Sequence, residues 1–325
     1  MVEYLKAEPS TEAWRRTFPA AHVPPKIVPN NTRKVIKMKR TIMIILALLL
    51  ATSLFAGCVG AGPKQPDTSG QNADEKVLRV GMECVYAPYN WTQSSNANGA
   101  VPIYGSSDFA YGYDVMMAKH IADKIGYKLE IHRMDWDSLP IAVQSGAIDC
   151  AIAGQSITED RKQSVDFSTP YYYASIVCLV RADSPFAAAA GISGLSGASA
   201  TSQLNTVWYD VCLQQIPGVK LLQPMDSAPA MLVSLTSGAC DLVVTDMPTA
   251  MAAVSVYPEL KLLDFTDSSD NFQVSDEEIN IGISMKKGNS ELLNLINGAL
   301  KDLTVDDFER MMNDAIKVQP LDVGE

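Results

Sequence analysis

Histidine is nearly absent from this sequence, and its scarcity removes whole classes of chemistry. The chain has three histidines, and only His120 and His132 lie beyond residue 58. There is no HExxH, no glycine-rich phosphate loop and no GxSxG elbow, so the signatures of zinc peptidases, nucleotide binders and serine hydrolases are missing. Cysteine is present without a pattern. Beyond Cys58 the cysteines are Cys84, Cys150, Cys178, Cys212 and Cys240, an odd number with no CxxC or Cys/His spacing. That excludes the usual metal and redox motifs and implies no metal and no cofactor. Most of the five sit in apolar runs, where cysteine acts as a small core hydrophobe. One or two disulfides fit the count, but the sequence assigns no pairing.

Basic residues are also scarce where the folded part begins. The whole chain carries 26 Lys+Arg against 37 Asp+Glu, a formal charge of −11. Beyond Cys58 the balance is 17 basic against 34 acidic, or −17. Such a surface repels nucleic acid and anionic headgroups, which argues against a nucleic-acid role. At 325 residues there is room for a large core and for two domains.

One long apolar run does occur. In "KMKRTIMIILALLLATSLFAGC" a basic patch precedes an apolar stretch, then small residues and Cys58. This is the order of a secretory signal peptide. The run is short for a membrane span, although a plain membrane anchor is the alternative reading. Cys58 directly after "FAG" looks like a bacterial lipobox, in which the thiol is diacylated and becomes the mature N-terminus. Phe55 stands where Leu is usual. Residues 1–37 have no hydrophobic period and read as an upstream extension, with Met38 the better start. The Gly/Pro/Ser/Asp-rich stretch that follows, to about residue 76, reads as a flexible tether. The expected product is extracytoplasmic, held to the membrane by a lipid anchor.

From residue 77 the pattern alternates. "VLRVGM" reads as a strand, and the Asn/Ser/Gly-rich stretch 86–111 as a long irregular loop. "GYDVMMAKHIADKIG" has helical spacing and a Gly stop, and "YKLEIHR" alternates as a strand. "DSLPIAVQSG" reads as a short helix with Asp137 as N-cap, and "IDCAIAG" as a buried strand. After "YYYASIVCLVRAD" and a small-residue stretch, a second series begins with a helix near 203–215. It continues through "VKLLQPM", "APAMLVSLTSG", "CDLVVT", a helix after Pro248, and "LKLLDF". Two amphipathic helices close the chain. "SGAIDCAIAG" (145–154) and "SGACDLVVTD" (237–246) occupy the same place in the two series, each a Gly stop followed by a central strand. The fold class is therefore α/β.

Ligands of open α/β sheets bind beyond the carboxyl ends of the strands. Past the first repeated strand, Thr158 is placed to cap a short helix, and Arg161 then sits at its third position, the wrong charge for a helix start. Arg161 with the backbone of Gly154–Ser156 suits a carboxylate. Pairing with Glu159, Asp160 or a surface neighbour is the plainer alternative. Past the second, Asp246 either caps the helix begun by Pro248 or faces an ammonium group. A carboxylate receptor and an ammonium receptor together describe an α-amino acid.

These motifs resemble the family 3 extracellular solute-binding proteins, the amino-acid receptors of ABC importers. The resemblance covers about residues 77–318. It rests on "GMECVYAPYNW", "GYDVMMAKHIADKIG", "WDSLPIAVQSGAIDCAIAGQSITEDRKQSVDFSTPYY" and "SGACDLVVTDMPTA". It implies a two-lobed periplasmic-binding-protein fold (type II) closing like a clamshell, with "YYYASIVCLVRAD" and "EEINIGISMKKGN" as crossovers. Lobe 1 would comprise 77–180 and 281–325, lobe 2 would comprise 181–280, with 1–57 the leader and 58–76 the tether.

The resemblance assigns the α-carboxylate to Arg161, supported by Gly154 and Ser156, and the α-ammonium to Asp246. Thr206 resembles the carboxylate-binding threonine of the second lobe, with Asn205 where Gly is usual. Glu83, Tyr86 and Trp136 match positions that touch the ligand side chain. Glu83 favours a cationic or amide side chain, and Trp136 stacks on a guanidinium, packs on an aromatic ligand or belongs to the lobe core. Arginine, lysine, histidine or glutamine is the resulting order. Expected partners are a free amino acid and the ABC permease subunits with their ATPase, served by a monomer. An enzyme on the same scaffold, dehydratase-like or lytic, and a sensor domain are the competing functions.

Overall fold

A computed structural model of the chain describes residues 76–320. The signal-like run, Cys58 and most of the tether lie outside the described residues. Val77–Met82 forms the first strand. One sheet has the order Lys128–Arg133, Val77–Met82, Cys150–Ala151, Ser284–Lys286, Val165–Phe167. Its first three strands are parallel, and Ser284–Lys286 is antiparallel to both its neighbours. A second sheet has the order Lys220–Leu221, Ser199–Thr201, Leu242–Asp246, Ile176–Arg181, Leu260–Leu263. It repeats the pattern, with Ile176–Arg181 as the antiparallel member.

In each sheet the antiparallel strand is the one by which the chain arrives from the other sheet. The two passages lie side by side, because Tyr172–Tyr173 pairs antiparallel with Asn280–Ile281. The result is a two-lobed α/β fold whose lobes are joined by two adjacent crossovers. Buried residues such as Leu78, Val80, Ile131 and Ile148 pack the first lobe, and Leu179, Val243, Met231 and Leu235 the second.

The repeated phrase has a structural reason. Gly146 (φ +78°) ends the helix Leu139–Ser145 in the left-handed region, and Gly238 (φ +78°) follows the helix Ala228–Thr236 in the same way. The shared aspartate then ties the third strand of each sheet to its second. Asp149 Oδ2 accepts from the Arg79 amide at 2.8 Å, and Asp241 Oδ2 from the Ser199 amide at 2.8 Å.

Several local expectations are corrected. The stretch 86–111 is not irregular throughout, because Val85–Tyr86, Asn90–Gln93, Val101–Pro102 and Phe109–Tyr111 form a small antiparallel sheet. It is held in part by the cross-strand Trp91–Tyr111 pair, with ring centroids 5.3 Å apart. Asp137 does not cap a helix. It lies in the 3-10 turn Trp136–Ser138, and Ser138 holds the N-cap position of the next helix. The segment expected as a helix near 203–215 is a π turn, Trp208–Cys212, followed by a 3-10 turn, Leu213–Gln215. Cys84, Cys150, Cys178, Cys212 and Cys240 are all buried and free, so no disulfide joins them. Burial pushes every one of these thiols up, which keeps them protonated and unreactive.

Candidate ligand-binding site

Four short segments meet in the cleft, each at or just past the end of a parallel strand. Glu83 follows Val77–Met82 directly, and Gly154 lies three residues after Cys150–Ala151. In the second lobe Gln203–Thr206 follow Ser199–Thr201, and Asp246 ends Leu242–Asp246. Strand ends of the second and third members of both sheets thus converge, as open α/β sheets require.

Thr158 caps the one-turn helix Glu159–Lys162, its Oγ1 accepting from the Arg161 amide at 3.3 Å. The Arg161 guanidinium turns away from Glu159, which pairs with Lys162 instead. Its Nη1 donates to the Ser156 carbonyl at 2.9 Å and its Nη2 to the Asn205 carbonyl of the other lobe at 2.8 Å. Trp136 lies beneath it, with Cζ 5.3 Å from the ring centroid. Among the described residues Arg161 forms no ion pair, so neutral carbonyls and a ring face are its only partners there. Burial pushes its pKa down to about 10, opposed only by the charge of Asp210. A guanidinium partly desolvated in this way has a strong preference for an anion.

Gly154 adopts φ +62°, and a Cβ there would stand 2.8 Å from Cε1 of the Tyr86 ring. Only glycine lets the aromatic ring and this turn share the space. Its amide donates to Tyr171 Oη at 3.1 Å, which makes the turn part of a buried network. Tyr171 Oη donates to Asp114 Oδ1 at 2.7 Å, and Asn90 Nδ2 to Asp114 Oδ2 at 2.8 Å. Asn90 Oδ1 in turn accepts from the amide of Cys84, which is held at φ +56°. Asp114 is fully buried, and burial pushes its carboxyl up to about 7 against the pull of these two donors. One carboxylate thereby fixes both first-lobe loops of the site.

Asp246 takes the capping role, and its second carboxylate oxygen is engaged by a tyrosine. Its Oδ1 accepts from the Thr249 amide at 2.8 Å as an N-cap, and its Oδ2 accepts from Tyr86 Oη at 2.7 Å across the cleft. It is 2% exposed, and burial raises its pKa. Tyr86 stacks on Tyr89, with centroids 4.7 Å apart. Thr206 is buried, and its hydroxyl donates locally to the Gln203 carbonyl at 2.6 Å. Glu83 is 5% exposed. Its Oε1 accepts from Gln203 Nε2 at 3.2 Å, while its Oε2 has no hydrogen-bond partner among the described residues. Burial pushes its carboxyl up to about 8, against the hydrogen bond from Gln203.

Tyr86, Trp136, Gly154, Ser156, Arg161 and Thr206 line one narrow cavity of about 10 Å³, partly open to solvent. Glu83 faces an adjoining acidic cleft, together with Asp135, Asp137 and Asp226. Asp246 stands behind Tyr86. Sequence reasoning missed Gln203 and Trp208, which also line the cavity. The sequence "SQLNTVWYD" contained both, but nothing in it says which side chains turn toward the opposite lobe.

The sequence pattern of the bacterial extracellular solute-binding proteins, family 3, matches residues 78–314. The chain belongs to this family. An arginine-binding extracellular protein of Bacillus subtilis (strain 168), ArtP, is 28% identical over 170 residues, or 52% of this chain and 58% of ArtP. The chain therefore matches less than two thirds of that relative. A probable histidine-binding protein of Neisseria gonorrhoeae is 26% identical over 257 residues, 79% of this chain and 88% of its own length. Among solved structures, an ancestral arginine-binding protein bound to arginine is 32% identical with a TM-score of 0.59, over 74% of this chain and 98% of that one. Family members are binding proteins, and their extracellular setting places this solute-binding protein outside the cytoplasm.

Proposed function

We propose that this solute-binding protein captures a free L-amino acid with a cationic side chain, arginine first, and delivers it to an ABC permease. The observation that carries this reading is Arg161, a half-buried guanidinium hydrogen-bonded only to neutral carbonyls among the described residues, facing a second lobe that presents Asp246. In this scheme Arg161 and the turn at Gly154–Ser156 hold the α-carboxylate, with Thr206 closing from lobe 2. Asp246 exchanges its bond from Tyr86 for the α-ammonium. Trp136 and Tyr86 flank the side chain, and Glu83 supplies its unpartnered oxygen to the cationic end. The names of the relatives, which include arginine and histidine binders, support the same ligand class.

The proposed division is lobe 1 at 77–180 with 281–325 and lobe 2 at 181–280. The open form loads ligand on Arg161, and contacts from lobe 2 then shift the population to the closed form that the permease receives. A thermal-shift screen against the twenty amino acids tests the ligand class. Arginine is expected to raise Tm most, because a ligand that binds only the native state stabilises it by mass action. A Tm that moves for none of them, or only for acidic ones, would contradict the assignment.

One observation favours a second reading. The raised pKa of Glu83 is what a general acid or base needs at neutral pH. Recovery of the bound amino acid unchanged from the same incubation separates the receptor from an enzyme.

The lipid anchor belongs to this proposal as well, with Cys58 as the diacylated residue and the working form a monomer. Replacing Cys58 by Ser is expected to release the protein into the soluble fraction, and intact-mass analysis of the wild type to show the added acyl mass. A Cys58→Ser protein that stays with membranes would favour a plain anchor.

A further inference from the structure

Asn205 occupies a backbone position at φ +54°, in the left-handed region where asparagine is one of the few tolerated side chains. It makes two bonds across the cleft. Its carbonyl accepts from Arg161 Nη2 at 2.8 Å, and its Nδ2 donates to Asp137 Oδ1 at 2.7 Å. A glycine could supply the first bond but not the second. Asp137 sits on the Trp136–Ser138 turn, adjacent to the ring that underlies Arg161.

This pair differs from the inter-lobe bonds made by the side chains of the candidate site. Tyr86 to Asp246 and Gln203 to Glu83 both use side chains that a bound amino acid would engage, so ligand competes with them. Asn205 and Asp137 are exposed and do not line the cavity of Tyr86, Trp136 and Arg161; Asp137 lies at the edge of the adjoining acidic cleft, with its Oδ1 already taken by Asn205. Ligand therefore adds to this bond and does not replace it. We infer that Asn205 and Asp137 form a rim clasp that holds the closed cleft together and slows ligand release, with Asn205 also positioning the Arg161 guanidinium. The effect on release rests on the amino-acid-receptor reading, while the clasp itself does not.

The test uses Asn205→Gly, which suits the backbone, together with Asp137→Ala and Asp137→Asn. Stopped-flow fluorescence would follow dissociation of L-arginine, and small-angle scattering would measure the radius of gyration without added amino acid. Asn205→Gly and Asp137→Ala are each expected to speed dissociation by about two- to fivefold, the size of one charged hydrogen bond on an exposed rim. The double variant should be no faster than either single one, and Asp137→Asn, which keeps an acceptor oxygen, should stay near wild type. Both disruptive variants should also shift the radius of gyration toward the open form. Unchanged dissociation and unchanged radius in both would overturn the clasp. If no amino acid binds the wild type, the receptor reading fails, and the radius alone decides the clasp.

Discussion

Replacing Arg161 by Ala is expected to weaken amino-acid binding by more than about a hundredfold while leaving the fold intact. The size follows from stranding a ligand carboxylate in a desolvated site, which costs about 3 kcal/mol or more when one partner of a charged pair is removed. The fold should survive because the guanidinium bonds only to the carbonyls of Ser156 and Asn205, at a cleft and not in a core. Arg161→Lys keeps the charge but loses the planar fork and the stacking on Trp136, so it should fall between the two. Titration calorimetry gives the affinities, and circular dichroism checks the fold. An Arg161→Ala protein with wild-type affinity would mean that the carboxylate lies elsewhere.

The second large effect concerns Glu83 and has a definite sign with pH. Burial holds its carboxyl at about 8, so near neutrality it is largely protonated until a cation arrives. A guanidinium against Oε2 favours the ionised form, and binding then releases a proton. Arginine affinity should be highest above pH 8 and fall as pH drops below it, by up to about tenfold per unit. Glutamine, with no charge to offer, should not lose affinity in that direction. Glu83→Gln should abolish the slope and reduce arginine affinity by about thirtyfold or more at pH 8.5, with a much smaller effect on glutamine. The same variant should be more heat-stable than wild type at pH 9 and similar at pH 4. The raised pKa means that ionisation opposes folding as pH rises. A flat arginine profile in the wild type would remove Glu83 from the side-chain site.

The parts of this site that could be read from sequence are those set by local chemistry. Gly126 and Gly146 mark helix ends because a left-handed residue is cheap only for glycine, and both adopt positive φ. Thr158 and Asp246 read as caps from their spacing to the following helix, and both accept the expected backbone amide. The repeated phrase disclosed the two sheets because the same helix stop and the same strand-tying aspartate are needed in each.

What stayed hidden depends on partners distant in the chain. Cys150–Ala151 is a strand of two residues whose pairing comes from Val80–Gly81 and Ser284–Met285. The loop at 155–157 is held by the returning crossover, through Ile157 to Asn280 and Gly282 to Gln155. Asp137 had the local look of a cap, yet its acceptor is used by Asn205 from the other lobe. The small sheet within 85–111 went unseen because its polar connections outweigh its few pairing residues in any local count.

The most direct test compares L-arginine with agmatine, which lacks the carboxylate, by titration calorimetry on wild type and Arg161→Ala. Carboxylate recognition by Arg161 predicts that the wild type binds L-arginine far more tightly than agmatine, and that this gap nearly closes in the variant. Agmatine bound as tightly as L-arginine by the wild type, or a gap that persists without Arg161, would contradict it.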